Sequence, residues 1–280
     1  MTTYTENELL ISLKNVGLKY GEKTILREIN AEIKNVVRPG MNQGQVVALI
    51  GRSGMGKSQL FRILSGLNKP TTGNVYLDAD QHLVNPGEVG IIPQNYILFN
   101  HRTVYDNLMI GLCQGMCIVC QAGSKPCSKR KLTKKDANDT IRKYAEQFEL
   151  TEHLQKFPAQ LSGGQKQRVS IIQQVLTDNK YILLDEPFSG LDMIMVDKVI
   201  ELLLKISILN EYNTLIIVSH DIPSSLMIAD EAWVLAKETG KDGATITYQH
   251  DLKKMGLAWQ PEIRKMPEFQ KLLAEVKTQI

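Results

Sequence analysis

Long hydrophobic runs are absent from this 280-residue sequence, and that absence restricts where the chain can act. No stretch approaches the ~18 consecutive apolar residues that a membrane-spanning helix requires. The first residues, from Met1 to Glu8, are polar and lack the hydrophobic segment of a secretion signal. We therefore expect a cytoplasmic protein, whose role at any membrane would depend on a partner.

A strong charge of one sign is also missing from the sequence. The formal net charge is +3, which is too small to indicate a nucleic-acid partner. Apolar residues make up 43% of the chain and charged residues 22%, which is the balance of an ordinary globular protein. Only four cysteines occur, all within positions 113–127, and a cytoplasmic chain is not expected to join them in disulfides.

What the sequence does contain is a glycine-rich loop between a strand pattern and a helix pattern. Residues 46–58 read VVALIGRSGMGKS, which matches the phosphate-binding pattern G-x-x-x-x-G-K-[ST] in its strand–loop–helix context. Glycines let successive N–H groups point at phosphate oxygens, and the helix N-terminus adds its positive dipole end. The predicted nucleotide-binding residues are Gly51, Arg52, Ser53, Gly54, Met55, Gly56, Lys57, Ser58 and Gln59.

Apolar strand patterns that end in polar residues recur after this loop. Residues 180–187 read KYILLDEP and residues 214–220 read TLIIVSH, with helix patterns between them. Strands that alternate with helices predict an α/β fold with a parallel sheet, and the chemistry of such sheets lies at the carboxyl ends of the strands. Shorter strand patterns at residues 10–16, 25–33, 74–77 and 89–93 flank this region, and residues 103–156 have a largely helical pattern.

A second helix start suited to an anion lies at residues 161–168, which read LSGGQKQR. A serine before two glycines and a helical run is typical of an N-cap, and the exposed N–H groups of a helix start attract negative charge. Its candidate binding residues are Ser162, Gly163, Gly164 and Gln165.

In this order and spacing, the motifs of residues 10–235 resemble those of the ATP-binding subunits of ABC transporters. Residues 51–58 resemble the Walker A loop, 161–165 the signature, 181–186 the Walker B strand and 189–192 the D-loop. The resemblance implies a P-loop NTPase (RecA-like) core, an antiparallel β subdomain and an α-helical signature subdomain. It also implies that ATP and Mg²⁺ are the ligands.

Roles for individual residues follow from the resemblance and agree with their chemistry. Asp185, at a strand end, is expected to hold Mg²⁺ together with Ser58 and Gln94. Glu186 is expected to take a proton from the attacking water, which contributes roughly 10²–10⁴-fold to the rate. Lys57 is expected to contact the β- and γ-phosphates. The resemblance assigns catalytic roles to Gln94, which would bind Mg²⁺ and water, and to His220, which would bind the γ-phosphate, and it makes Asp192 of the D-loop a nucleotide-binding residue.

Tyr20 lies where the family places an aromatic ring on adenine, although a tyrosine at a strand end can also serve packing alone. Two departures from the family pattern are a longer segment at residues 36–43 and Gln59, where a threonine is common. Neither departure affects the expectation that the chain binds ATP.

In the family, the signature of one subunit closes over the phosphate loop of another. Since this chain has one of each, the resemblance implies a second ATPase subunit, most simply a second copy in a homodimer. Residues 98–108 resemble transporter subunits, closest to importers of polar amino acids, which implies an integral membrane permease as partner and a position on the inner face of the cell membrane. The alternatives are a lipid or efflux system and a soluble ATPase without transport.

The four cysteines are a further departure from the family pattern. Cys113, Cys117, Cys120 and Cys127 lie in an insertion at about residues 111–131, with one C-x₂-C pair. Four thiolates suit tetrahedral Zn²⁺, and an iron–sulfur cluster needs the same number, although the spacing matches neither common ferredoxin pattern. Reduced thiols and redox-active pairs remain alternatives.

The expected domain organisation is an ATPase domain at residues 1–247 and a C-terminal extension at residues 248–280. The helical subdomain is expected at about residues 95–168. Apolar residues of the extension, such as Trp259 and Phe269, are expected to pack on the core, and contact with a partner is the alternative.

Overall fold

The computed structural model describes residues 4–40, 43–115, 117–118, 131–208 and 211–280. In these residues the strands are β1 (Thr5–Tyr20), β2 (Lys23–Val37), β3 (Gln45–Ile50), β4 (Thr72–Leu77), β5 (His82–Leu83), β6 (Val89–Ile92), β7 (Cys117–Ile118), β8 (Lys131–Leu132), β9 (Tyr181–Asp185), β10 (Thr214–Ser219), β11 (Glu231–Lys237) and β12 (Ala244–Asp251). The helices are α1 (Lys57–Leu64), α2 (Val104–Gly115), α3 (Lys134–Gln147), α4 (Gly163–Leu176), α5 (Met193–Ser207), α6 (Ile222–Ile228) and α7 (Pro267–Gln279).

The chain forms two compact units. The core unit comprises Met1–Ile91 and Lys180–Ile280, and the helical unit comprises Ile92–Asn179. Short 3₁₀ turns occur at Thr151–His153 and Pro158–Gln160 in the helical unit and at Ile263–Lys265 in the core unit. None of the helices in the described ranges is long and apolar enough to cross a membrane.

A ten-stranded sheet has the strand order β5–β4–β1–β2–β12–β11–β3–β10–β9–β6. Strands β11, β3, β10 and β9 pair in parallel, and every residue of β3 and β10 is buried, as expected for strands covered on both faces. Ile50 pairs with Ser219, and Val218 pairs with Asp185, so three parallel strands end at the same edge. The predicted α/β fold with a parallel sheet is confirmed.

The antiparallel part of the sheet consists of β1 paired with β2 and β4. It extends further than the sequence pattern suggested. Strand β2 continues to Val37, beyond the strand pattern at residues 25–33, because buried and exposed residues alternate as far as Asn35, and Val36 and Val37 still pair with β1. Strand β4 already begins at Thr72, before the strand pattern at residues 74–77, because Gly17 of β1 pairs with Thr72.

The helical unit contains an amphipathic helix, α3, within the region where a helical pattern was expected. Thr133 caps α3: its hydroxyl accepts from the Asp136 N–H, and the Asp136 carboxylate accepts from the Thr133 N–H. Ala137, Ile141 and Ala145 form the buried stripe of this helix. The helical pattern expected across residues 103–156 is interrupted, because β7 and β8 pair as extended backbone.

The C-terminal segment is part of the core unit, and its apolar residues are buried there, as the sequence predicted. Strand β12 pairs with β11, so a boundary after residue 247 would lie inside a strand. Phe269, Leu272 and Val276 of α7 are buried in a cluster with Ile50 of β3 and Leu226 of α6. Removal of this segment would therefore expose one side of the strand that leads to the glycine-rich loop.

A buried ion pair anchors the beginning of that strand. The Arg38 Nη2 lies 3.1 Å from the Asp230 Oδ1, and the two side chains are 1% and 2% exposed. The other carboxylate oxygen accepts a 2.8 Å hydrogen bond from the Val46 N–H. The guanidinium lies 3.4 Å above the ring of Trp259. The unusual segment after β2 therefore joins β3, β11 and the C-terminal segment.

We predict that Arg38→Ala lowers the free energy of unfolding by roughly 3–5 kcal/mol, because the buried Asp230 carboxylate loses its partner. Urea denaturation followed by circular dichroism measures the change. The exposed Arg62→Ala on α1 is the control and should change stability by about 0.5 kcal/mol or less. Equal effects of the two substitutions would contradict the role of the buried pair.

Candidate functional site

The glycine-rich loop has a backbone that only glycine adopts readily. Gly56 precedes α1 with a φ of 92°, in the left-handed region. A Cβ at Gly56 would lie 2.9 Å from the Leu26 Cδ2, and one at Gly51 would lie 2.5 Å from the Leu235 carbonyl oxygen. The loop is therefore held closely against β2 and β11, with the N-terminus of α1 at its end.

Lys57, the first residue of α1, turns its ammonium back into this loop. Its Nζ donates to the Gly51 carbonyl at 2.6 Å and to the Arg52 carbonyl at 3.2 Å. Burial lowers the pKa of Lys57 below its ordinary value, and the nearby carboxylates of Glu186 and Asp185 oppose that shift. The buried ammonium would therefore be stabilised by a negatively charged group bound in this loop.

Asp185 and Glu186 follow one another at the carboxyl end of β9. Burial raises the pKa of the Asp185 carboxyl, Glu186 raises it further, and Lys57 acts in the opposite direction. Glu186 has a φ of 51°, and its N–H donates to the Val218 carbonyl at 2.8 Å. This strained conformation turns the Glu186 side chain toward the end of β10.

The Glu186 carboxylate is held by three groups at the end of β10. Its Oε2 accepts from the Ser219 hydroxyl at 3.1 Å and from the His220 N–H at 3.2 Å, and it lies 2.7 Å from the His220 Nδ1. The His220 side chain is 61% exposed, whereas the Glu186 side chain is only 15% exposed. The arrangement fixes one carboxylate oxygen and leaves the imidazole accessible.

Ser219 is not among the predicted site residues, yet its hydroxyl joins two parts of this edge. It donates to Glu186 and also accepts a 3.0 Å hydrogen bond from the Asp221 N–H. Asp221 in turn caps α6. The polar residue just before His220, at the end of an apolar strand, was the available signal.

Tyr20 and Gln59 form a second contact pair in the core unit. The Tyr20 hydroxyl donates to the Gln59 Oε1 at 3.0 Å, and the same oxygen accepts from the Asn68 Nδ2 at 3.3 Å. Tyr20 is 53% exposed. Among the other predicted residues of the loop, Met55 packs against the core, whereas Arg52, Ser53, Gly54 and Ser58 are exposed.

The remaining motif residues lie at helix ends or in the helical unit. Ser162 caps α4 in a reciprocal arrangement with Gln165, at 3.3 and 2.9 Å, and Gln165 also lies 3.0 Å from the His153 Nε2. Asp192 caps α5 by accepting from the Met195 N–H at 2.9 Å. The exposed Gln94 follows β6, and Gly163 and Gly164 open α4. Their functional roles stay predictions.

The cysteine site also stays a prediction. Cys113 is exposed near the end of α2, whereas the side chain of Cys117 and all of Cys120 and Cys127 lie outside the described residues. Within the described ranges no three His, Cys, Asp or Glu side chains are grouped as metal ligands.

The fold and the loop define a class of protein: a P-loop nucleoside-triphosphate-binding domain. The positive-φ glycine, the buried Lys57 and the start of α1 fit a polyphosphate. The hydroxyl of Ser58 and the carboxylate of Asp185 are oxygen ligands of the kind that Mg²⁺ prefers.

Comparison with known proteins identifies the family. Residues 35–189 match the model described as ABC transporter, and the chain belongs to that family. The sulfate/thiosulfate import ATP-binding protein CysA of Mesostigma viride is 35% identical over 225 residues. A probable protein of that name from Chlorella vulgaris is 35% identical over 238 residues. The resemblance and the fold class predicted from the sequence are both confirmed.

The alignments cover most of this chain but only part of some relatives. They cover 79% of this chain and 58% of the Mesostigma viride protein, and 82% of this chain and 88% of the Chlorella vulgaris protein. Among solved structures, "Dimeric Structure of MJ0796, a Bacterial ABC Transporter Cassette" is 26% identical with a TM-score of 0.65. That match covers 87% of this chain and 99% of the solved chain.

The raised pKa of Asp185 yields a prediction about stability. Since the folded-state pKa lies above the usual value, the ionised carboxylate destabilises the ligand-free fold at neutral pH. Asp185→Asn should therefore raise the unfolding free energy by about 1 kcal/mol at pH 7. The gain should shrink as the pH falls through the pKa of Asp185, because the wild-type carboxyl then also becomes neutral.

Urea unfolding of the ligand-free protein between pH 7 and pH 4 measures this difference. Asp192→Asn is the matched control, because asparagine caps a helix as well as aspartate does. A gain at Asp185 that stays constant over this pH range, or a loss of stability at pH 7, would contradict the burial of an ionised carboxylate there.

Proposed function

We propose that the chain is the ATP-binding and ATP-hydrolysing subunit of an ABC importer and works through a separate membrane permease. The observation that carries this proposal is the position of Glu186. Its carboxylate is hydrogen-bonded at the edge of the sheet where Asp185 ends β9, and it interacts electrostatically with Lys57 at the start of α1. The family membership and the word "import" in the names of the relatives support the same proposal.

The binding step is assigned to the glycine-rich loop. Backbone N–H groups of the loop and the Lys57 ammonium would bind the phosphates of ATP, and Tyr20 would stack on the adenine. Ser58, Asp185 and Gln94 would hold Mg²⁺. When bound, Mg²⁺ neutralises charge on the β- and γ-phosphates.

The proton transfer is assigned to Glu186. Its carboxylate would accept a proton from the water that attacks the γ-phosphate in line, with Ser219 and His220 fixing its orientation. The exposed His220 imidazole would donate a hydrogen bond to the γ-phosphate. Positioned charges and donors supply most of the rate enhancement in such reactions.

A second copy of the chain is proposed to complete the site. The α4 N-terminus, with Ser162, Gly163, Gly164 and Gln165, offers N–H groups that would close over the ATP of the partner subunit, and Asp192 would lie in the same interface. The solved cassette of 26% identity is described as dimeric, which supports a homodimer.

Import is the direction we propose, for a small solute, and the names of these relatives do not support the expected polar amino-acid cargo. The relatives are named for the import of sulfate/thiosulfate, maltose/maltodextrin and spermidine/putrescine, and polar amino acids are not among these cargoes. The residues that resembled a polar amino-acid importer lie in the helical unit, which would contact the permease rather than the solute. The membrane subunit would therefore choose the solute.

The permease is proposed to dock on the segment that follows Gln94. Ile97 and Phe99 are 73% and 46% exposed, and two large apolar side chains so close together in one segment form an exposed apolar surface. An apolar surface of this kind is typical of a protein–protein contact, and it would hold the chain on the inner face of the membrane.

We predict that the chain, isolated from its native membrane in mild detergent, carries a stoichiometric polytopic protein. The double substitution Ile97→Asp, Phe99→Asp should reduce the recovery of that protein at least about tenfold, because charges would be buried in the contact. Leu83→Asp, at another exposed apolar residue in the core unit, is the control and should leave the recovery unchanged. Recovery of no membrane protein with the wild type would contradict the transporter proposal.

A further inference from the structure

We propose that the side-chain carbonyl of Gln59 positions Tyr20 for the nucleobase rather than serving the phosphates, although Gln59 lies in the glycine-rich motif. The inference deepens the proposed function, since it assumes that the core unit binds ATP. It concerns one hydrogen bond, from the Tyr20 hydroxyl to the Gln59 Oε1, and the way this bond connects the base and phosphate parts of the site.

Tyr20 is placed by a tight hairpin but needs further support for its side chain. It is the last residue of β1, and only Gly21 and Glu22 separate it from β2. Half of its surface is exposed, so packing against the core does not fix the ring. A ring that serves as a stacking surface must be held in one orientation, since ordering it on binding costs conformational entropy.

Gln59 supplies that support from the first turn of α1. Its Oε1 accepts from two neutral donors, the Tyr20 hydroxyl at 3.0 Å and the Asn68 Nδ2 at 3.3 Å. A carbonyl oxygen has two lone pairs, so these two bonds use its accepting capacity. Since phosphate oxygens are also acceptors, the Oε1 cannot bind them, and only the Nε2 of this side chain could donate to phosphate.

Asn68, which lies beyond the C-terminal end of α1, also holds Gln59 in place. The Asn68 N–H donates to the Arg62 carbonyl at 3.0 Å, just beyond the C-terminus of α1. Gln59 is therefore held on one side by a residue tied to the helix and holds Tyr20 on the other. A threonine at position 59 carries its hydroxyl on Cβ, two carbons nearer the backbone, and could not span the same gap.

The same contact region couples the two parts of the proposed site. Gly56 lies so close to β2 that a Cβ would be 2.9 Å from Leu26 and 3.1 Å from Ile25. The start of α1 thus touches the strand that follows Tyr20, and the Gln59 bond adds a side-chain link to the strand that ends at Tyr20. The start of α1, which is proposed to bind the phosphates, thus contacts both strands of the hairpin that carries Tyr20.

The test compares two ligands on the full-length protein: ATP, and inorganic tripolyphosphate, which has the phosphates but no base. Both are titrated with Mg²⁺ by calorimetry. In Gln59→Leu and in Tyr20→Phe we expect ATP to bind about 2- to 10-fold more weakly, the range for loss of one neutral hydrogen bond. Tripolyphosphate should bind as tightly as to the wild type. The double variant should be no weaker than either single variant, because both remove the same bond.

Two further variants separate positioning from a general structural effect. Gln59→Glu keeps an acceptor for the Tyr20 hydroxyl, and its added charge repels both ligands, so the ratio of ATP to tripolyphosphate affinity should stay near the wild-type value. Gln155→Leu removes an exposed glutamine in the helical unit and should change neither affinity.

A parallel loss of ATP and tripolyphosphate affinity in Gln59→Leu would overturn the inference, because Gln59 would then act on the phosphates. Unchanged ATP affinity in that variant would also overturn it, as would additive losses in the double variant. If the wild type binds neither ligand, the proposed function itself fails. If the wild type binds ATP and tripolyphosphate with equal affinity, the stacking of Tyr20 on the base is refuted, whereas phosphate binding is not.

Discussion

The parallel register of β9, β10 and β3 is the constraint on which the site depends. Because Ile50 pairs with Ser219 and Val218 pairs with Asp185, three strands end within one residue of each other. The side chains that follow them must therefore share one edge of the sheet. A slip of one residue in any of the three strands would turn its polar end to the other face of the sheet.

The buried charges at this edge destabilise the ligand-free fold, and a bound ligand of suitable charge would compensate for that loss. Lys57 is buried with its pKa lowered, and Asp185 is buried with its pKa raised, so both charged forms are disfavoured without a ligand. Glu186 has a positive φ that an L residue rarely adopts. Strain and buried charge at a single location are typical of a site that binds a charged substrate.

Local motifs were visible in the sequence, whereas contacts between distant segments were not. The glycine-rich loop, the cap at Ser162 and the apolar strands each lie within about a dozen residues, and short-range patterns describe them well. Arg38 and Asp230 are 192 positions apart, and Tyr20 and Gln59 are 39 apart. No periodicity signals such pairs, because only the folded sheet brings their strands together.

Two departures from the family pattern acquire physical roles in the structure. The segment after β2, which looked like a longer loop, supplies Arg38 to a buried pair that anchors the start of β3 and stacks on Trp259. Gln59, which looked like a tolerated replacement in the motif, accepts the hydrogen bond of Tyr20. Both connect the strand and loop of the site to parts of the chain outside the motifs.

Phosphate release in a single turnover, with enzyme in excess over ATP, tests the central claim most directly. If the edge of the parallel sheet makes Glu186 the base, Glu186→Gln should release phosphate roughly 10²–10⁴-fold more slowly than the wild type while binding ATP as tightly. Glu201→Gln, an exposed carboxylate on α5, is the control. Equal rates for Glu186→Gln and the wild type would contradict the account.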